Sequence, residues 1–133
     1  MRYFTLKELT YSDTAAQLGL DNTPGVTESD NLIYLVEKLL DPIRERYGAP
    51  IIVTSGYRSP AVNEAVGGVA TSQHLRGEAA DISAGAVTLN KQLFELIRTS
   101  GWEFDQLIDE KNYQWVHVSL TSRGTNRKQV LHL

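Results

Sequence analysis

Cysteine is absent from the 133-residue chain, which excludes disulfide frameworks, thiolate zinc sites, iron–sulfur ligation and cysteine nucleophiles. Any metal site must therefore be built from histidine, aspartate or glutamate. Long apolar runs are also missing: nothing approaches the roughly 20 residues of a membrane-spanning helix, so the sequence argues against a transmembrane protein and no membrane partner is expected. Positive charge is not in surplus. Thirteen Lys+Arg against sixteen Asp+Glu give a formal charge of -3, too little basic field to hold a phosphate backbone by counterion release, so no nucleic-acid partner is expected either. The opening MRYFTLKELTYSD lacks the apolar core of a secretory signal, which suggests synthesis in the cytoplasm without a signal peptide. No internal repeat, low-complexity tract or Pro/Gly-rich linker divides the chain, and no heptad seam argues for a dimer; one domain spanning 1–133 and a monomer are the expectations.

What is present is an ordinary globular composition, 41% hydrophobic and 22% charged, with readable periodicity. The first 25 residues read as an irregular arm with one short helix. Thr27, Asp30 and Asn31 offer N-caps before Leu32, Ile33, Leu35, Val36, Leu39, Leu40 and Ile43, whose three-and-four spacing is that of an amphipathic helix. Pro42 should kink or restart that helix, and Gly48 and Pro50 should end it. Ile51 to Val53 is of strand type, and Ser59-Pro60 caps a short helix over 60–66 stopped by Gly67-Gly68. After the loop Val69 to Glu78 come a strand, Ala79 to Ser83, and a second amphipathic helix on Leu89, Leu93, Phe94, Leu96 and Ile97. Phe104 to Asp109, Trp115 to Leu120 and Gln129 to Leu133 are further strands. The implied class is α+β, a small mainly antiparallel sheet with helices packed on one face.

Only three histidines occur, His74, His117 and His132. His74 lies in a glycine-containing loop that runs into the strand carrying Asp81. In Trp115-Val116-His117-Val118-Ser119, alternation places Val116 and Val118 on one face and Trp115, His117 and Ser119 on the other. A Zn2+ ion held by His74, Asp81 and His117 would have two imidazole nitrogens and one carboxylate, leaving a fourth position open, as catalytic zinc sites do. Metal-assisted hydrolysis is the corresponding chemistry. A strand histidine with a purely structural role is the competing reading. His132, alternating in Val130-Leu131-His132-Leu133, reads as structural.

The full spacing is more specific than its ligand atoms. Ser72, His74, Gly77, Ala79 and Asp81 form Ser-x-His-x-x-Gly-x-Ala-x-Asp, which resembles the zinc-ligand signature of the M15 family of D-Ala-D-Ala peptidases. Thr54-Ser55-Gly56-Tyr57-Arg58-Ser59 followed by Asn63 is similar to that family's Ser-Gly-Tyr-Arg segment, and Trp115 to Ser119 to its third-ligand strand. Phe4-Thr5-Leu6-x-Glu8-Leu9 resembles the opening of the small phage-associated branch. The resemblance covers roughly Phe4 to Leu120 and implies a Hedgehog/DD-peptidase-like fold, zinc ligands at His74, Asp81 and His117, and Arg58 in contact with substrate as a catalytic and binding residue. A guanidinium can grip a carboxylate in bidentate fashion or neutralise a developing oxyanion. Ser72, Gln73 and Trp115 are expected to shape the substrate pocket.

One departure stands out. Many members of that family carry an acidic general base three residues before the last histidine, and that position is Gln114, whose amide is not basic near neutral pH. Glu110, in Phe104-Asp105-Gln106-Leu107-Ile108-Asp109-Glu110, is the candidate base, the competing reading being a solvated turn carboxylate. Glu78 and Asp105 are lesser candidates for the base and read rather as surface and structural residues respectively. The resemblance implies a zinc peptidase acting on peptidoglycan stem peptides, as carboxypeptidase or endopeptidase, reaching the wall through a holin or with a virion if phage-derived. The alternatives are a zinc-containing module that binds wall peptide without cutting it, and a structural piece of a phage particle.

Overall fold

The fold, taken from a computed structural model of residues 1–133, begins with two short helices rather than the single one expected. α1 (Leu6–Thr10) is opened by a capping box in which the Thr5 hydroxyl accepts from the Glu8 amide and the Glu8 carboxylate from the Thr5 amide. α2 (Asp13–Leu18) is capped by Ser12 and closed by the left-handed Gly19. Thr-x-x-Glu was the overlooked signal. Phe4 and Leu9 bury completely or nearly so, which draws this arm onto the core.

α3 (Val26–Leu35) starts one turn earlier than its caps suggested, because Pro24-Gly25 already breaks the chain and Gly25 takes the cap position. Thr27, Asp30 and Asn31 consequently lie inside the helix. A π-helical turn, Val36–Leu40, follows and leads directly into α4 (Asp41–Tyr47). Pro42 has no N–H to return to the preceding turn, and the ladder widens just ahead of it, with the Asp41 amide bonding back to the Val36 carbonyl. The interruption expected at Pro42 takes this form, and the apolar stripe survives it: Leu32, Leu35, Val36, Leu39, Leu40 and Ile43 are all buried. Each such side chain contributes about 1.5–3 kcal/mol of burial.

β1 (Ile52–Ser55), α5 (Pro60–Ala65), a 3-10 turn (Gln73–Arg76), β2 (Ala79–Ser83) and α6 (Val87–Thr99) come next. β3 (Gln106–Glu110), β4 (Trp115–Ser119) and β5 (Gln129–His132) complete the chain. In the sheet order β1-β2-β4-β3-β5, every pairing is antiparallel except that of β3 with β5. α6 buries Leu93, Phe94 and Ile97, whereas Leu89, expected on the same stripe, stays exposed at the first turn.

Period-two alternation divides the sheet. Ala80, Ile82, Leu107, Val116 and Val118 join the helical residues in one hydrophobic cluster. Asp81, Ile108, Glu110 and His117 point to the other face, where they line an open cleft of about 680 Å³. The β3–β4 hairpin turns through three consecutive left-handed residues, Lys111, Asn112 and Tyr113. Buried Asn90 of α6 clamps that turn, donating to the Tyr113 and Gln114 carbonyls at 2.9 and 3.2 Å while its own oxygen accepts from the Ala84 amide.

Candidate metal centre

Three short segments bring the ligand candidates together. His74 rides on the 3-10 turn, which Ser72 caps by accepting the His74 amide at 3.2 Å and Gly77 closes in the left-handed conformation. Asp81 and His117 are direct cross-strand partners on β2 and β4. All three are buried, and their ligand atoms lie within 4.8 Å of one another. Asp81 Oδ1 is 3.0 Å from His117 Nδ1 and 3.4 Å from His74 Nε2. Tetrahedral bonds of about 2.0–2.1 Å would separate ligand atoms by roughly 3.3 Å, so the cluster already has the spacing that such an ion requires.

The remaining ring nitrogens are spoken for. His74 Nδ1 donates to the Gly56 carbonyl at 2.7 Å and His117 Nε2 to the Gln73 amide oxygen at 3.1 Å. Each imidazole thus keeps the other nitrogen, the one facing Asp81, for a metal, the arrangement that fixes metal-binding histidines elsewhere. Burial pushes the Asp81 carboxyl upward, but the adjoining His117 and His74 rings outweigh it and hold Asp81 well below the usual carboxylate range. Two imidazoles and an ionised carboxylate suit a borderline divalent ion such as zinc.

Gly56 and Gly68 explain their own positions. A Cβ on Gly56 would sit 2.2 Å from the Leu9 carbonyl oxygen, which also accepts the Tyr57 amide. On Gly68 it would sit 2.1 Å from Asn63 Oδ1. That oxygen holds Arg58 NH1 at 3.2 Å, while Arg58 Nε reaches Ser55 Oγ at 3.3 Å and NH2 lies 3.6 Å from Asp81 Oδ2. The Arg58 head is therefore locked beside the ligand cluster at the cleft wall.

Glu110 and Trp115 are paired across β3 and β4, and both line the cleft. The indole Nε1 donates to Glu110 Oε2 at 2.5 Å. Gln114 is exposed and does not line the cleft. Ser72 and Gln73 do line it, with polar atoms already engaged by the protein. Glu78, read from sequence as a surface residue, is buried: Arg76, Arg123 and Thr121 surround its carboxylate with bonds of 2.7–3.3 Å. Arg76 lies two residues away on the 3-10 turn, and Thr121 and Arg123 come from the connection between β4 and β5. Asp105 is buried yet lines the cleft, and Gln73 and Arg127 both bind it. His132, on β5, contacts Asp109 of β3 and lies outside the cleft lining.

An α+β sheet that presents a buried His–Asp–His set in an open cleft has the build of a metal-dependent hydrolase. A family model described as Peptidase M15 matches residues 2–119, and the chain belongs to that peptidase family. No curated protein matches the chain.

Proposed function

We propose that this M15 peptidase is a zinc enzyme that hydrolyses D-Ala-containing peptide bonds in the stem peptides of peptidoglycan, as a carboxypeptidase or endopeptidase. The observation that carries the reading is the convergence of His74, Asp81 and His117 at the floor of a cleft also lined by Arg58 and Glu110. Zinc bound there supplies Lewis-acid polarisation of a carbonyl and acidification of water. Arg58, pinned by Ser55 and Asn63, offers its guanidinium to a substrate carboxylate or to the charge that develops on the carbonyl oxygen. Glu110 is the proton carrier: Trp115 fixes one carboxylate oxygen and leaves Oε1 to take a proton from the attacking water and pass it to the leaving amine. Trp115 adds an apolar wall for the substrate, and Ser72 and Gln73 shape the cleft beside it.

Stem peptides incubated with zinc-loaded protein and followed by mass spectrometry test this directly. Release of D-Ala or opening of a cross-link, lost with a chelator and in His117→Ala, is the expected result. Intact peptides alongside stoichiometric zinc would instead favour a wall-peptide binding module, the second reading. Its specific support is Gln114, which is exposed and outside the cleft lining.

A further inference from the structure

Arg127 lies in the connection between β4 and β5, beyond the residues that the family model matches. Its side chain binds buried Asp105 in bidentate fashion, Nε to Oδ1 at 2.9 Å and NH2 to Oδ2 at 2.8 Å, and its amide adds a third bond at 3.1 Å. Asp105 Oδ2 also accepts Gln73 Nε2 at 2.7 Å, and Gln73 Oε1 accepts His117 Nε2 at 3.1 Å. The sense of this chain follows from donor chemistry. Arginine only donates and an ionised carboxylate only accepts, so the Gln73 amide must turn its NH2 to Asp105 and its oxygen to His117. The oxygen in turn requires a proton on Nε2, which leaves Nδ1, the nitrogen nearest Asp81, as the metal donor.

We infer that Gln73 is a positioning residue for the metal centre, and that Arg127, through Asp105 and Gln73, sets which nitrogen of His117 meets the ion and how tightly the ion is held. The inference rests on the metal-site reading above and extends it to a loop that contributes no ligand to the ion. Asp105 is 6% exposed and His117 8%, whereas the Arg127 side chain is 55% exposed, so water can replace the outer link more readily than the inner ones.

The test is zinc affinity by competition with a chromophoric chelator, measured for wild type, Gln73→Ala, Gln73→Leu, Arg127→Ala and the Gln73→Ala/Arg127→Ala double variant. Loss of a partner that orients a metal-ligating histidine weakens binding about 10–100-fold, and that is the loss expected for both Gln73 variants. Leucine fills the space without a dipole, so it keeps the test intact if alanine loosens the fold. Arg127→Ala should weaken zinc by a smaller factor and should add nothing in the Gln73→Ala background, the non-additivity of residues acting in series. Cobalt(II) in place of zinc gives a second readout: its visible bands report donor geometry and should shift in Gln73→Leu. Wild-type affinity and an unchanged cobalt spectrum in Gln73→Leu overturn the inference and leave the metal site standing. Absence of zinc binding by the wild type removes both. The expected affinity pattern without any peptide cleavage keeps the inference and removes the peptidase reading.

Discussion

His117 and Asp81 face each other across the β2–β4 ladder, and Nδ1 and Oδ1 meet at 3.0 Å. Two of the three ligand candidates are therefore placed by sheet register, the third by a capped turn. Side-chain direction alternates strictly along a strand, so a one-residue slip would send His117 into the core and Val116 or Val118 into the cleft. The buried valines on either side, Val116 and Val118, hold the register that aims the histidine.

Asp81→Asn removes the charge from this pair and keeps its shape. Zinc affinity should fall by more than about 100-fold, beyond the cost of losing a supporting partner, with the far-UV circular dichroism of a folded protein retained. Chelator competition measures the first and spectroscopy the second. Retention of wild-type affinity would mean that Asp81 is not a ligand.

Two further carboxylates make the metal-free protein acid-sensitive. Burial pushes Glu78 up, but hydrogen bonds from Arg123, Arg76 and Thr121 outweigh it, and Arg127 holds Asp105 down against its own burial; both end below the ordinary carboxylate range. A group with a depressed folded pKa adds stability that is present above its unfolded value, about 4, and is lost as pH falls through the folded one. Urea midpoints should accordingly be flat near neutrality and drop below about pH 4. Asp105→Asn and Glu78→Gln should each lower the neutral midpoint and flatten the acid slope; a slope unchanged in both would remove these ion pairs from the account.

Elements with a local period were legible before the fold was known. Val116-His117-Val118 displayed its two faces, Ser59-Pro60 its helix start, and Ala79 to Ser83 its strand. The His–Asp–His set was read as a candidate from the residue types and made specific by the resemblance to M15 peptidases, and the structure brings those three residues together. What local pattern could not show was every relationship closed by distant chain. Glu78 looked like a surface carboxylate because Arg123, its partner, is 45 residues further along the chain, in the connection after β4. Gln73, Asp105 and Arg127 belong to three separate segments, and no periodicity links them. Asn90, polar in an apolar helix pattern, had the one visible signal: a buried amide in such a place must find backbone partners, and it finds the hairpin turn.

Gly77→Ala tests why the motif carries glycine between its two ligands. Gly77 has φ +72°, and a Cβ there would lie 2.5 Å from the Glu28 carbonyl oxygen of α3, a backbone atom that cannot swing aside. Left-handed strain alone costs about 1–3 kcal/mol. Urea unfolding should show a loss of at least this size, and the shift of the 3-10 turn should weaken zinc binding through His74. Gly67→Ala is the control. Gly67 has φ +74° with nothing near its Cβ, so it should show strain of the same kind and unaltered zinc affinity.

Glu110→Gln separates proton transfer from metal binding. The amide keeps an oxygen to accept the Trp115 indole but cannot take up a proton, so hydrolysis should fall by about 10²–10⁴-fold, with zinc still bound at wild-type stoichiometry. Gln114→Glu places an acid three residues before His117, yet that side chain is exposed and outside the cleft lining, so it should not rescue Glu110→Gln. Moving it into the cleft would require the hairpin turn to reopen against the two bonds from Asn90. Rescue by Gln114→Glu would show that the turn does rearrange around substrate. Unchanged turnover in Glu110→Gln would end the assignment of Glu110 as the base and shift the search to another proton acceptor on the same cleft wall.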